Sequence, residues 1–136
     1  MFLHKIYIKI NLFIIEMGLP IITHYANRQQ FLSSLENNPG LIFVKFGAEW
    51  CEPCKIIEDD VSRHFLSMPD NVQCAIIDVD NSLDVYAFLK SKKITQGIPT
   101  IICYNKGNTH YAPDDVFSGT DKNQLGQFFK RCLDEL

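Results

Sequence analysis

Two cysteines separated by two residues, in Trp50-Cys51-Glu52-Pro53-Cys54-Lys55, are the side chains best placed to do chemistry. Thiols at this spacing can close a small disulfide ring and open it again, or can supply half of a metal site. Structural zinc takes four ligands, usually from a second C-x-x-C or a histidine pair. The sequence has neither, since His64 and His110 stand alone, so no metal is expected and the histidines read as surface or turn residues. The redox reading needs one sulfur as thiolate. The first turn of a helix stabilises such an anion through its unpaired N–H groups and its dipole. Pro53 is tolerated in a first turn, and the residues after Cys54 are helix-compatible, so the sequence predicts a helix opening at Cys51. The second thiol, one turn on, can then attack a mixed disulfide formed by the first.

The elements that must position this pair are legible on both sides of it. Leu41-Ile42-Phe43-Val44-Lys45-Phe46 is a strand-forming run, apolar except at Lys45, and suits a strand covered on both faces. Gly47 and Ala48 turn it into the cysteines. The helix from Cys51 to about Phe65 carries Ile57, Val61 and Phe65 four apart on one face. Upstream, Leu19 to Thr23 reads as a first strand. Asn27 with Gln30 reads as a capping box for a helix bearing Phe31, Leu32 and Leu35, closed by Asn38-Pro39-Gly40. Downstream come a turn at 68–71 and a strand from Val72 to Val79. A helix capped by Asp80 or Asn81 then reaches Lys90, with Leu83, Tyr86, Ala87 and Leu89 apolar. Pro99 to Tyr104 is strand-like, Asn105-Lys106-Gly107-Asn108 a hairpin turn, and a last strand is expected between Thr109 and Phe117. Asp121 with Gln124 caps an amphipathic helix through Leu125, Phe128, Phe129, Cys132, Leu133 and Leu136. Strand–helix alternation implies parallel pairing by crossover, hence an α/β fold.

On these residues the chain resembles a known family. Phe46 to Lys55 is similar to the active-site segment of thioredoxins, and Gly97-Ile98-Pro99-Thr100 to their second signature. The pattern runs from about Ile21 to Leu136. The resemblance implies a three-layer sandwich with a central mixed β-sheet flanked by helices. It implies thiol–disulfide exchange on protein disulfides, with net reduction. Cys51 is then the attacking thiol, expected to be the more exposed of the two, and Cys54 the resolving one. Pro53 stiffens the ring, and Trp50 gives an apolar platform beside the sulfurs. Pro99 is expected to be cis, so that Ile98 offers main-chain groups to an extended substrate. Gly97 gives that turn room, and Gly119 lets the chain approach the same groove. An electron-donating disulfide reductase is implied as partner, and no bound cofactor is needed.

Two residues depart from the family pattern. Lys45 stands where a buried acid is usual, and the facing position, usually lysine, reads as Ile76. A buried lysine has its pKa driven down by desolvation. Lys45 is then a neutral amine able to take a proton from Cys54, a cation favouring its thiolate, or a side chain that snorkels to solvent. Glu52 replaces a glycine. A carboxylate roughly 6 Å from Cys51 in high dielectric costs its thiolate about 1 kcal/mol, similar to the helix-dipole benefit. Lys45 and Glu52 are therefore read as redox-tuning residues.

The chain has 136 residues, 46% hydrophobic, with net charge −3. It is read as one domain, residues 19–136, behind a lead of uncertain status, residues 1–18. The charge gives no reason to expect nucleic acid or an anionic membrane. Lys90, Lys92 and Lys93 read as a solvated helix end. Met1 to Ile15 is too short and too interrupted for a membrane span. It is either a signal or anchor, or a dispensable lead or extra strand before a functional start near Met17. Cys74, Cys103 and Cys132 lie in apolar contexts and read as inert packing, not as a secreted disulfide framework. These readings place the protein in the cytoplasm as a disulfide reductase. The alternatives are an exported oxidase or isomerase, if the lead is a signal, and a binding subunit of a larger assembly, for which the long Tyr111 to Ser118 segment offers a contact.

Overall fold

The computed structural model describes residues 18–136. The expectations placed on Met1 to Met17 lie outside the described residues. The element order is α1 (Arg28–Leu35), β1 (Leu41–Gly47), α2 (Glu52–Leu66), β2 (Val72–Asp78), α3 (Leu83–Ser91), β3 (Thr100–Asn105), β4 (Asp115–Ser118) and α4 (Lys122–Leu133). The four strands form one mixed sheet in the order β2-β1-β3-β4. β1 and β2 are parallel, joined by a crossover through α2, and β3 and β4 are antiparallel to their neighbours.

The period-2 alternation of the strands divides the core into two layers. Leu41, Phe43, Cys74, Ile101 and Cys103 pack with Ile57, Val61 and Phe65 of α2 and Leu125, Phe128 and Phe129 of α4. Ile42, Val44, Phe46, Ile77, Ile102 and Tyr104 pack with Phe31 and Leu35 of α1 and Val85 and Leu89 of α3. The result is the expected three-layer sandwich. Burying each of these large side chains stabilises the fold by about 1.5–3 kcal/mol. Lys45 belongs by alternation to the α2/α4 side, and its register partners are Ile76 on β2 and Ile101 on β3. Ile76 is thus the facing residue, as read.

Four local expectations are corrected. Leu19 to Thr23 forms a single parallel bridge, Ile22 to Ala75, in place of a strand. Pro20 has no N–H to donate, and its carbonyl is taken by the Gln73 side-chain amide at 2.9 Å. α3 starts after Ser82, not after Asp80 or Asn81, and it buries Val85 and Leu89 while Leu83 and Ala87 face outward. Asp78 accounts for the later start, since its carboxylate and carbonyl tie Asp80, Asn81 and Ser82 into a turn. The last strand is only Asp115–Ser118. The chain before it is a loop, held by Tyr104 Oη donating to Tyr111 O (2.6 Å) and by Asn105 N and Asn108 Nδ2 donating to Asp114. α4 stops at Leu133, short of Leu136. Asn27 and Asp121 cap their helices as expected, each side chain accepting a first-turn N–H, but the reciprocal half of the first capping box is shifted, since Gln30 Oε1 accepts from Ala26 N and not from Asn27 N. The basic cluster also reads correctly. α3 ends with Lys93 in the left-handed region (φ 63°), Ile94 N donating to Leu89 O and Lys93 N to Lys90 O, which closes the helix.

Candidate active site

The β1 strand ends at Gly47, and a tight turn, with Cys51 N donating to Ala48 O, delivers Cys51 to the N-cap of α2. Cys51 Sγ accepts the N–H of Cys54 at 3.2 Å. A cap acceptor is ordinarily a serine or aspartate oxygen; here the sulfur takes that place, and negative charge on it is stabilised by the same N–H and by the helix dipole. Pro53 sits in the first turn, where its missing N–H costs nothing. Cys51 and Cys54 are joined as a disulfide, with Cα atoms 5.3 Å apart.

The loop before β3 covers the pair from the other side. The Ile98–Pro99 bond is cis, as expected. The Ile98 carbonyl oxygen lies 3.8 Å from Cys51 Sγ. In the disulfide the sulfur has no hydrogen, so this is a contact; after reduction a Cys51 thiol can donate to that carbonyl. Gly119 has φ 107°, a conformation that favours glycine, and its N–H donates to Pro99 O at 3.3 Å. A Cβ at Gly97 meets nothing within 4 Å, so room for the turn is not what glycine supplies there. Trp50 is 66% exposed and is fixed at its edge, Nε1 donating to Asp80 Oδ2 at 2.8 Å.

Cys51 is not the more exposed thiol: it is 4% exposed and Cys54 5%. Each sulfur covers the other, and the Ile98 carbonyl covers Cys51 further. What marks Cys51 is its cap position and its exposed neighbours Trp50, Glu52 and Pro53. Glu52 does not act on it unopposed, because Lys55 Nζ lies 3.3 Å from its carboxylate. Lys45 does not snorkel freely. It is 7% exposed, and burial lowers its pKa while the charge of Glu58 pulls the other way. His64 is neither surface nor turn: it is half-buried on α2, stacked on Phe129 at 4.3 Å. Sequence reasoning missed Asp80, the tryptophan's anchor, and Glu58. The signal for Glu58 was available, since it stands four residues after Cys54 on a helix whose inner face is known. No group of three or more metal-ligating side chains occurs among the described residues.

Fold and site together define an α/β domain that presents a bondable cysteine pair at a helix N-terminus, faced by a cis-proline loop. The family model described as Thioredoxin matches residues 22–131, and the chain belongs to the thioredoxin family. Thioredoxin 3 of Plasmodium falciparum is 26% identical over 107 residues, 78% of this chain and 55% of its own length. Horse thioredoxin is 37% identical over 94 residues, 68% of this chain and 80% of its own. The chain thus spans little more than half of the first of these relatives. Among solved structures, Fasciola hepatica thioredoxin aligns at TM-score 0.64 and 26% identity, covering 82% of this chain and 99% of that one. No helix among the described residues is long and apolar enough to cross a membrane.

Proposed function

We propose that the protein is a protein-disulfide reductase working by dithiol–disulfide exchange. The Cys51 thiolate attacks a substrate disulfide, and one substrate sulfur leaves as a thiolate. Cys54 then attacks Cys51 of the mixed disulfide, releases the second substrate thiolate and leaves the Cys51–Cys54 bond. Two electrons pass to the substrate, and an electron-donating disulfide reductase returns the pair to dithiol. The observation that carries this reading is Cys51 as the cap of α2, its sulfur accepting the Cys54 N–H while bonded to Cys54. The exposed face of Trp50 and the Ile98, Pro99 and Gly119 backbone around the sulfurs give an extended peptide a place to lie. A reducing compartment such as the cytoplasm fits the free thiols Cys74, Cys103 and Cys132. The test is reduction of insulin disulfides with dithiothreitol as electron source. Acceleration over dithiothreitol alone is expected, and none over a Cys51→Ser control overturns the reading.

A further inference from the structure

Below the disulfide, a cavity of about 490 Å³ opens between β1, β2 and α2, large enough for a small organic molecule. Lys45 is on its wall, 7% exposed and flanked in the sheet by Ile76 and Ile101. The other lysines among the described residues are all exposed. A lysine with the ordinary pKa is a neutral amine in fewer than about one molecule in a thousand at pH 7, and only the neutral amine is a nucleophile. Burial lowers the Lys45 pKa, and the charge of Glu58 opposes that in part. Lys45 is thus a desolvated amine beside open space, the setting in which a lysine reacts with carbonyl compounds. Gly47 keeps the approach clear: a Cβ there would stand 3.9 Å from Lys45 Cε and 3.4 Å from Cys54 Sγ.

We propose that this cavity binds short, uncharged hydroxyaldehydes and that Lys45 holds them as an imine. The inference is independent of the exchange reaction, since Lys45 lines the cavity while the Cys51–Cys54 bond is closed. The Lys45 nitrogen adds to the aldehyde carbon and gives a carbinolamine. Its hydroxyl takes one proton from solvent and leaves as water, and the nitrogen keeps one hydrogen as the protonated imine. No oxidant or reductant takes part. Three features choose this ligand class. The protonated imine keeps a positive charge for Glu58 to face, whereas acylation would leave Glu58 facing a neutral amide. The other charged groups on the wall are Glu49, Glu58, Asp78 and Lys55, a net negative set that disfavours an anionic ligand. Thr23 and Asn81 add a hydroxyl and an amide, partners for the hydroxyl groups of a short chain.

The experiment incubates the full chain, in its disulfide form, with limiting glycolaldehyde and cyanoborohydride at neutral pH. Cyanoborohydride reduces each imine to a stable amine, and mass spectrometry of the digest locates it. The lysines are compared with one another, because an α-amino group is reactive at this pH in any chain. Label is expected to enter Lys45 faster than every exposed lysine, by about tenfold. Lys45 labelled no faster than they are overturns the proposal. The same labelling in concentrated urea is expected to erase the preference, and a preference that survives there overturns the cavity as its cause. Glyoxylate, an aldehyde of equal length that carries a carboxylate, tests the ligand class. Its ratio of Lys45 label to exposed-lysine label is expected to fall below that of glycolaldehyde. An equal or higher ratio overturns the assignment to uncharged aldehydes.

Discussion

The chain holds two pairs of neighbouring cysteines, alike in burial and different in bonding and surroundings. Cys51 and Cys54 sit at the tip of α2, bonded to one another. Cys103 on β3 meets Cys132 on α4 inside the apolar layer, and both are free. Exposed area does not separate them, since Cys51 is 4% exposed and Cys132 3%. Surroundings do. Cys51 Sγ faces a backbone N–H at 3.2 Å, on the positive end of a helix. Cys103 thiolate is disfavoured by its hydrogen bond with Cys132, by burial, and by the charges of Asp115 and Asp114, so its pKa is pushed far up. Cys132 Sγ lies 3.9 Å from the Asp115 carboxylate. Cys74, in the same layer, is pushed up to about 12 by burial alone. The dipoles and charges around each sulfur, and not its exposed area, distinguish the two pairs, and thiolate reactivity is expected to follow them.

The strongest way to break this comparison is to exchange the roles by mutation. Cys51→Ser is expected to lower insulin reduction more than about a thousandfold, because no other thiol is placed to begin the exchange. Cys103→Ser is expected to leave activity per folded molecule unchanged. It should instead lower stability by about 1–3 kcal/mol, read as a shift in urea midpoint, since a hydroxyl enters a site with no exposure. An active Cys51→Ser, or an inactive but folded Cys103→Ser, would reverse the assignment.

A finer test lies on the face where α2 meets α4. Burial first, then the Arg63 charge, hold the His64 pKa below 6.5, against the pull of Asp60. The unfolded chain therefore takes a proton near 6.5 that the folded chain resists. Stability from this group is full above that pH and is lost as pH falls toward the folded value. His64→Phe is expected to flatten the fall in urea midpoint as pH drops below about 7, and an equally steep fall in the variant would contradict this. The smallest effect expected is at Glu52. Glu52→Gly should lower the Cys51 pKa by less than about one unit, by thiolate absorbance titration. The pairing of Glu52 with Lys55 keeps the effect small, and a higher Cys51 pKa in the variant would contradict it.

Much of the site was legible because it is local. The apolar run of β1, the turn at Gly47, and Pro53 in a first turn fix where the cysteines sit without help from distant residues. The same holds for the caps at Asn27 and Asp121. What was misread depends on partners far along the chain. Leu19 to Thr23 looks like a strand by composition, but Pro20 turns one of its ladder bonds over to the side chain of Gln73. His64 looks like a surface residue until Phe129 is brought beneath it by α4. The exposure of Cys51 was overestimated because the covering carbonyl belongs to Ile98, 47 residues away. Lys45 could be assigned to a face by alternation alone, but its cavity needed the position of α2.

The most direct test of the central claim is alkylation of the reduced, native protein with limiting iodoacetamide at neutral pH, located by mass spectrometry. Its five cysteines then compete for one reagent. The account predicts that label enters at Cys51 first, with Cys103 and Cys132 unmodified while the fold is intact. Label appearing first at Cys132, Cys103 or Cys74, or a Cys51 that reacts no faster than they do, would contradict it.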